Sequence, residues 1–312
     1  MNNKEYRPTL AQLRTFVTIA ENKHFGVAAQ KLHISQPSLS QALSALEIGL
    51  EVQLIERSTR RVIITPAGEE LLPYAKAVLD SADSFLSHAQ GVSGMLSGPL
   101  TLGIIPTIAP YILPPLLTEI NKDYSDLDLR IVEDQTQHLV QLLKDGQIDC
   151  ALLALPIDQP GIEEISLYSE NFVMVVPRNH PLAGRNDLEL TNLKDIDLIL
   201  LDDGHCLREQ SVNLCKKVDI NPSNSPFSNT RASSLTTVMQ LISSELGGTL
   251  VPESAIAIEC SRVDVATAYF SDEVSAARQV GLIYRSSSSR SDEYHKLGTV
   301  INRAFHHSIA TT

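Results

Sequence analysis

The sequence predicts an α/β protein built from a small helical head, a long connecting helix and a larger α/β body. Three observations carry this. Two short helical patterns flank a tight turn before residue 50, which is a helix-turn-helix arrangement. An unbroken heptad stripe runs from Leu71 to Val92, as in paired helices. Beyond residue 98, short apolar runs alternate with helical stretches, the pattern of α/β units. The 312 residues suffice for two or three compact units with their own cores.

The head reads as follows. Thr9 with Gln12 resembles a capping box, and Leu10, Leu13, Phe16, Val17 and Ala20 follow helical spacing. A second short helix runs near Val27 to Leu32, and His33-Ile34-Ser35 makes a tight turn. The third helix spans Ser35 to Leu50, with Pro37 tolerated in its first turn. It buries Leu39, Leu43, Leu46 and Leu50. Its polar surface carries Ser35, Gln36, Pro37, Ser38, Ser40, Gln41 and Ser44. Gln pairs bidentately with adenine, and Ser contacts base edges or phosphates. Val52 to Thr65 reads as a hairpin with Arg57, Arg60 and Arg61 at its tip, a wing suited to the phosphate backbone. Residues 1–65 hold eight Lys/Arg against five Asp/Glu, a balance of +3, while the rest carries −15. A mildly basic head on an acidic body suits DNA binding by the head alone. A solvated helix face is also rich in Ser and Gln; the preceding helix and the arginine wing favour DNA.

Thr65-Pro66 opens the long helix, with proline at its first position. Leu71, Ala75, Val78, Ala82, Phe85, Ala89 and Val92 form the heptad stripe, widened by Leu72, Leu79 and Leu86. It packs either on its own domain or on a second copy, and the heptad regularity favours a dimer. Gly91, Gly94, Ser97, Gly98 and Pro99 form a flexible linker. The body's strands are expected at Leu100–Ile105, Leu129–Val132, Cys150–Leu155, Phe172–Val176, Leu198–Leu201, Thr249–Val251 and Val280–Tyr284, in largely parallel sheets. No GxGxxG and no GxxxxGK[ST] occurs, so nucleotide binding is unsupported.

Four cysteines are present and none has CxxC spacing, so neither a zinc site nor any other metal or cofactor is expected. There is no apolar run of 18 residues and no signal-peptide core at the start. The protein is expected in the cytoplasm, away from membranes, where thiols stay reduced. Cys150 reads as part of a buried strand and Cys260 as the end of a helix. Cys206 and Cys215 are nine residues apart, after an Asp202-Asp203-Gly204 turn that ends a strand and caps a helix. On one helix, nine residues rise roughly 13–14 Å, whereas a disulfide needs Cα atoms within about 7 Å. Bonding the pair therefore requires the helix to unwind, as a redox switch would. Cys206 also sits near a helix N-terminus between His205 and Arg208, features that lower a thiol pKa. Two buried structural cysteines are the other reading.

The head motifs carry a resemblance. Leu13-Arg14-Thr15-Phe16, the run Ala28 to Ser40, Leu46-Glu47, Glu56-Arg57 and Thr65-Pro66-Ala67-Gly68 closely resemble LysR-type transcriptional regulators over the whole chain. The resemblance implies a winged helix-turn-helix domain at 1–65, a linker and dimerisation helix at 66–92 and a hinge at 93–98. It implies a two-lobed, periplasmic-binding-protein-like α/β regulatory domain at 99–312, with lobe I about 99–168 and 275–312 and lobe II about 169–274. It also implies a homodimer or homotetramer on promoter or operator DNA.

The body resembles the OxyR peroxide sensors of that family, on Asp203-Gly204-His205-Cys206-Leu207-Arg208 with Cys215, on Ile105-Pro106-Thr107, on Asp134-Gln135-Thr136, and on Arg278 ahead of Val280 to Arg285. This implies that Cys206 is the peroxidatic thiol and Cys215 the resolving one. Thr107 and Thr136 then line the peroxide pocket, and His205 and Arg278 favour the thiolate and the leaving oxygen. Each has a plainer alternative. Thr107 is a helix cap, Arg208 a solvated residue, His205 a helix-start residue, and Arg278 the ion-pair partner of a carboxylate such as Glu273.

The expected function is a hydrogen-peroxide-sensing regulator of peroxide-defence genes, reset by cellular thiol reductants and able to contact RNA polymerase. The rival within the family is a regulator that binds a small metabolite between the lobes. An enzyme is not expected, because a thiol peroxidase has no use for a recognition helix.

Overall fold

The computed structural model describes residues 6–57, 62–89, 96–221, 230, 232–261 and 263–310. The chain divides into two compact units. One comprises Met1–Met95, Leu142–Gln147 and Arg285–Asp292; the other comprises Leu96–Gln141, Ile148–Tyr284 and Glu293–Thr312.

In the first unit, α1 (Leu10–Asn22) begins with the expected capping box: Thr9 accepts from Gln12 N, and Gln12 reaches back to Thr9 N. Helix α2 (Phe25–Lys31) leads to the turn at His33, and α3 (Gln36–Leu50) starts one residue after its cap, Ser35. Strands β1 (Ile55–Arg57) and β2 (Val62–Ile64) pair antiparallel as the wing. Glu47 Oε1 accepts from Leu54 N at 2.9 Å and Ile55 N at 3.0 Å, tying the wing to α3. The side chain of Arg57 and the whole of Arg60 and Arg61 lie outside the described residues. Thr65 donates to Gln53 O at 2.7 Å and accepts from Gly68 N at 3.0 Å, so it closes the wing and caps α4 (Pro66–Ala89).

The heptad stripe divides. Leu72, Ala75 and Leu79 are buried with Phe16, Ile19, Leu39, Leu43 and Leu46 in the head's own core. Val78, Phe85 and Leu86 are exposed, Phe85 at 72%. An exposed apolar row of this kind fits helix pairing. Ala89 is described in backbone only, and Val92 with residues 93–95 of the expected hinge lies outside the described residues.

The second unit is built on a mixed sheet. Its strands are β3 (Gly98–Ile104), β4 (Leu127–Glu133), β5 (Cys150–Leu155), β6 (Ile162–Pro177), β7 (Thr249–Pro252), β8 (Val265–Ala268) and β9 (Ala277–Arg285). The order is β4-β3-β5-β9-β6-β7, with β8 also on β6. Among the described residues, β3 pairs parallel with β4 and with β5, whereas β5–β9, β6–β7 and β6–β8 are antiparallel. The expectation of largely parallel sheets is thus corrected: β9 returns beside β5 in the opposite direction, and β6 takes both its short neighbours antiparallel. Leu198–Leu201 is buried but makes only one bridge, Leu198 to Gly248, and no strand.

Around the sheet lie α5 (Ala109–Asp123), α6 (Thr136–Lys144), α7 (Cys206–Lys216), α8 (Leu235–Ser243), α9 (Ile256–Glu259) and α10 (Ser291–Ala310). A core of Phe172–Val176, Leu198–Leu201, Leu207, Leu214, Cys215, Val238, Met239, Ile242, Leu250 and Val251 is continuous from β6 to α7 and α8. It places α7 against the strands that carry the site. Cys150 is buried in β5 and Cys260 caps the end of α9, both as expected.

Candidate functional site

The segment Asp202-Asp203-Gly204-His205 delivers Cys206 to the first position of α7. Asp202 Oδ1 accepts from Asp203 N at 3.1 Å, and Asp202 O accepts from His205 N at 3.4 Å. Gly204 has φ of +90°, and a Cβ there would lie 2.2 Å from Gln135 Oε1. The left-handed backbone is what favours glycine here, and any side chain would also have to displace the end of Gln135. Gln135 Nε2 in turn donates to Asp203 O at 3.3 Å. Arg208 donates to Leu201 O at 3.0 Å and pairs with Asp203 at 2.9 Å. Arg208 therefore braces the turn, and it is not a source of charge at the thiol.

Cys206 is a half-buried residue with a deeply set sulfur. Burial pushes its thiol up. The Arg278 charge, the Thr136 and Thr107 hydroxyls and the Leu207 N–H all pull the other way without overcoming burial. The expectation of a depressed pKa is thereby corrected. His205 does not help as a cation, because its burial lowers its own pKa against the opposing pull of Asp202. It is neutral near pH 7 and stands as the N-cap residue of α7 without a side-chain cap bond.

The positive charge at the site is Arg278 on β9. Its side chain is 0% exposed, and that of its partner Glu170 on β6 is 1% exposed. Glu170 Oε2 accepts from Arg278 Nε at 2.8 Å and lies 2.7 Å from NH2. The carboxylate expected in sequence, Glu273, is not this partner. Arg278 NH1 donates to Thr107 Oγ1 at 3.0 Å and NH2 to Thr107 O at 2.9 Å. Thr107 is thus an arginine ligand rather than a helix cap, and its own O–H remains to serve the sulfur.

The Thr136 hydroxyl lies close enough to the thiol to pull its pKa down, and its Oγ1 has no other partner among the described residues. Gln210 Oε1, one turn along α7 from Cys206, is likewise buried without a partner. The orphaned Thr136 Oγ1, beside a thiol that also feels Arg278, leaves a place for a small polar guest.

The structure therefore gathers Thr107, Thr136, Cys206 and Arg278, with His205 alongside. It leaves Cys215 elsewhere: this residue is the tenth of α7, fully buried in the core, its thiol pushed up to about 11 by burial. None of the four cysteines forms a disulfide. Sequence reasoning missed Glu170 and Gln210. Glu170 had a signal, since Tyr168, Glu170 and Phe172 alternate with exposed Ser169 and Asn171 along β6. A carboxylate in the buried register needs a cation.

On α3, Ser35, Gln36, Pro37, Ser38 and Gln41 are exposed and Ser44 is half-buried. Ser35 Oγ accepts from Ser38 N at 3.2 Å and lies 2.8 Å from Ser38 Oγ, so its first task is capping. Among the described residues no helix is long and apolar enough to cross a membrane, and no group of His, Cys, Asp or Glu could hold a metal ion.

Comparison with known proteins places this geometry. Residues 10–69 match the bacterial regulatory helix-turn-helix protein, lysR family, and residues 93–305 match the LysR substrate binding domain. The chain is 46% identical over 301 residues to a probable hydrogen peroxide-inducible genes activator of Mycobacterium avium, covering 96% of each. It is similar to the solved structure of a hydrogen-peroxide-bound cysteine-to-serine mutant of Corynebacterium glutamicum OxyR, at 62% identity and TM-score 0.70, covering 98% of this chain and 97% of that one. Full-length OxyR of Pseudomonas aeruginosa with a cysteine-to-aspartate change aligns at TM-score 0.81 and 32% identity, covering 95% and 98%. Helix-turn-helix head, linker helix and thiol–arginine site together, the chain belongs to the LysR family of transcriptional regulators, among the OxyR proteins.

Proposed function

We propose that this DNA-binding regulator senses hydrogen peroxide through Cys206 and stores the signal as a Cys206–Cys215 disulfide. The observation that carries the reading is the placement of Cys206 at the head of α7, beside a buried Arg278–Thr107 pair, with Cys215 on the same helix. Peroxide occupies the space beside Thr107, Thr136 and Arg278. The Cys206 sulfur attacks one peroxide oxygen, an S–O bond forms and the O–O bond breaks. The departing hydroxide takes the thiol proton and leaves as water, with Arg278 stabilising its developing charge. Cys215 then attacks the sulfenic acid, expelling a second water. One peroxide is reduced by two electrons and the two thiols are oxidised to a disulfide.

Burial of the thiol in the resting state keeps it protonated. It thereby limits reaction with other electrophiles and leaves selectivity to the pocket. The disulfide biases a two-state element, α7 folded or unwound. The change passes to the oligomer, a homodimer or homotetramer, and alters the spacing of the recognition helices on operator DNA. In the domain scheme, residues 1–65 read DNA through Ser35, Gln36, Pro37, Ser38, Gln41, Ser44 and the wing arginines. Residues 66–92 pair subunits, 93–98 form a hinge and 99–312 sense. Cytoplasmic thiol reductants reset the protein, and RNA polymerase is the downstream contact.

The test is mass spectrometry of the reduced protein titrated with hydrogen peroxide, mapping disulfides by peptide. A Cys206–Cys215 link at about one peroxide per chain, absent in Cys206→Ser, supports the reading. Both cysteines staying reduced at that dose overturns it.

A further inference from the structure

We infer, resting on the reading of Cys206 as the peroxide-reactive thiol, that Glu170 is a positioning residue for that reaction. It fixes the Arg278 guanidinium so that NH1 and NH2 both address Thr107, with its charge acting on Cys206. A guanidinium carries five N–H donors in a rigid fork. Glu170 Oε2 takes Nε–H and approaches NH2, Thr107 O takes the other NH2 proton, and Thr107 Oγ1 takes one NH1 proton. One NH1 proton is left, on the side of NH1 turned away from NH2, and none of these contacts takes it. It is the donor for a departing peroxide oxygen.

Glu170 can impose this orientation because it is itself held. Its Oε1 accepts from Ser254 N at 3.1 Å, just past the end of β7. Its strand β6 has β9 as one neighbour and, from two residues further on, pairs with β7 at Phe172–Val175 and with β8 at Met174–Pro177. Phe172 N donates to Ala276 O at 2.8 Å, tying β6 to the start of the segment that leads into Arg278. With both side chains sealed from water, the pair has no solvent to rearrange into. A carboxylate on the far edge of the fork also offsets much of the arginine's charge at the sulfur. Removing that carboxylate therefore does two opposite things. The guanidinium loses its orientation, and the thiolate gains from a less compensated cation.

The experiment uses the full chain in its wild-type, Glu170→Gln and Glu170→Asp forms. Stopped-flow oxidation by hydrogen peroxide is followed by quenched alkylation of Cys206, alongside the pH profile of Cys206 alkylation by iodoacetamide. For Glu170→Gln the expected result is a limiting peroxide rate constant lowered roughly ten- to hundred-fold, with the alkylation midpoint moved to lower pH. Glu170→Asp restores the wild-type midpoint with a partial rate loss. A wild-type rate in Glu170→Gln overturns the inference. So does a rate loss with an unmoved midpoint, which marks a purely structural residue. If Glu170→Gln does not fold, Glu170→Asp decides, and wild-type peroxide kinetics in it overturn the inference. Failure of wild-type Cys206 to oxidise at all would instead sink the sensor reading on which this rests.

Discussion

Cys206 and Cys215 stand at the first and tenth positions of one helix, the first lining a polar site and the second sealed in an apolar core. Nine residues of helix separate their backbones by roughly 13–14 Å, about twice the reach of a disulfide. Bond formation and an intact α7 exclude each other. Oxidation is expected to cost helix: hydrogen exchange of residues 207–216 rises in the oxidised protein and stays at its reduced level in peroxide-treated Cys215→Ser. Full protection of this segment in a protein with the disulfide mapped would contradict the geometry.

The reduced Cys206 thiol is protonated at neutral pH, since burial outweighs the arginine and the two hydroxyls. Its alkylation by iodoacetamide should therefore rise with pH to a midpoint above the ordinary thiol value of about 8.5. A midpoint near 6 would show that the sulfur feels more of the Arg278 charge than the buried geometry allows.

Cys215 adds a pH dependence to stability. Its folded pKa, about 11, lies above its unfolded value. A raised folded pKa favours the fold below the unfolded pKa, and the benefit is lost as pH rises through 11. Reduced wild-type protein should lose melting temperature between pH 8.5 and 10.5 more steeply than Cys215→Ala. Parallel curves would rule this out. His205 acts at the other end. Its folded pKa is depressed by burial, so its contribution is full above the unfolded pKa of about 6.5 and lost as pH falls through the folded value. His205→Gln should flatten the acid limb.

Arg278→Met leaves Glu170 with a buried, uncompensated charge. The expected loss is about 3–5 kcal/mol in urea unfolding, together with loss of peroxide reactivity at Cys206. The double variant Arg278→Met, Glu170→Gln should recover much of the stability and none of the reactivity. A loss under about 1 kcal/mol in the single variant would mean the pair is not sealed from water.

Gly204→Ala forces a side chain into a left-handed backbone and against Gln135 Oε1 at 2.2 Å. The expected cost is about 1–3 kcal/mol. Gln135→Ala should return only the steric part in a double-mutant cycle. No change in melting temperature would mean that the turn ahead of Cys206 is free to shift.

Local chemistry was legible in the sequence, and distance was not. Thr9 with Gln12, Ser35 before α3 and Thr65-Pro66 announced three helix starts because capping is a matter of adjacent residues. The strands at Leu100, Leu129, Cys150, Thr249 and Val280 followed from short apolar runs. The first half of β6 escaped, since its alternation of exposed Glu163, Glu164 and Ser169 with buried Tyr168 and Glu170 looks polar throughout. Strand direction depends on which runs become neighbours, so the antiparallel return of β9 was invisible.

At the site, Cys206 stood out by its spacing from Cys215, while Thr107, Thr136 and Arg278 came only through the resemblance to the OxyR peroxide sensors. Glu170, 108 positions from Arg278, left a local sign that it needs a cation, its place in the buried register of β6, but nothing local that names Arg278 as that cation. The direction of the Cys206 shift was misread for a related reason: flanking His205 and Arg208 are visible in sequence, while burial of the sulfur is a property of the fold.

The seclusion of Cys215 sets a tempo. On the proposed reading, a sulfenic acid formed at Cys206 would have to wait for α7 to open before its partner arrives, so beyond a certain dose the response would be timed by the helix and not by the oxidant. Brief pulses that end before an opening would leave an unresolved sulfenic acid open to thiol repair, and exposure that outlasts it would be recorded. Leu207, Leu214 and Cys215, all held in the same apolar core, would then act as the escapement of this clock, and loosening any of them would trade a filter against noise for speed.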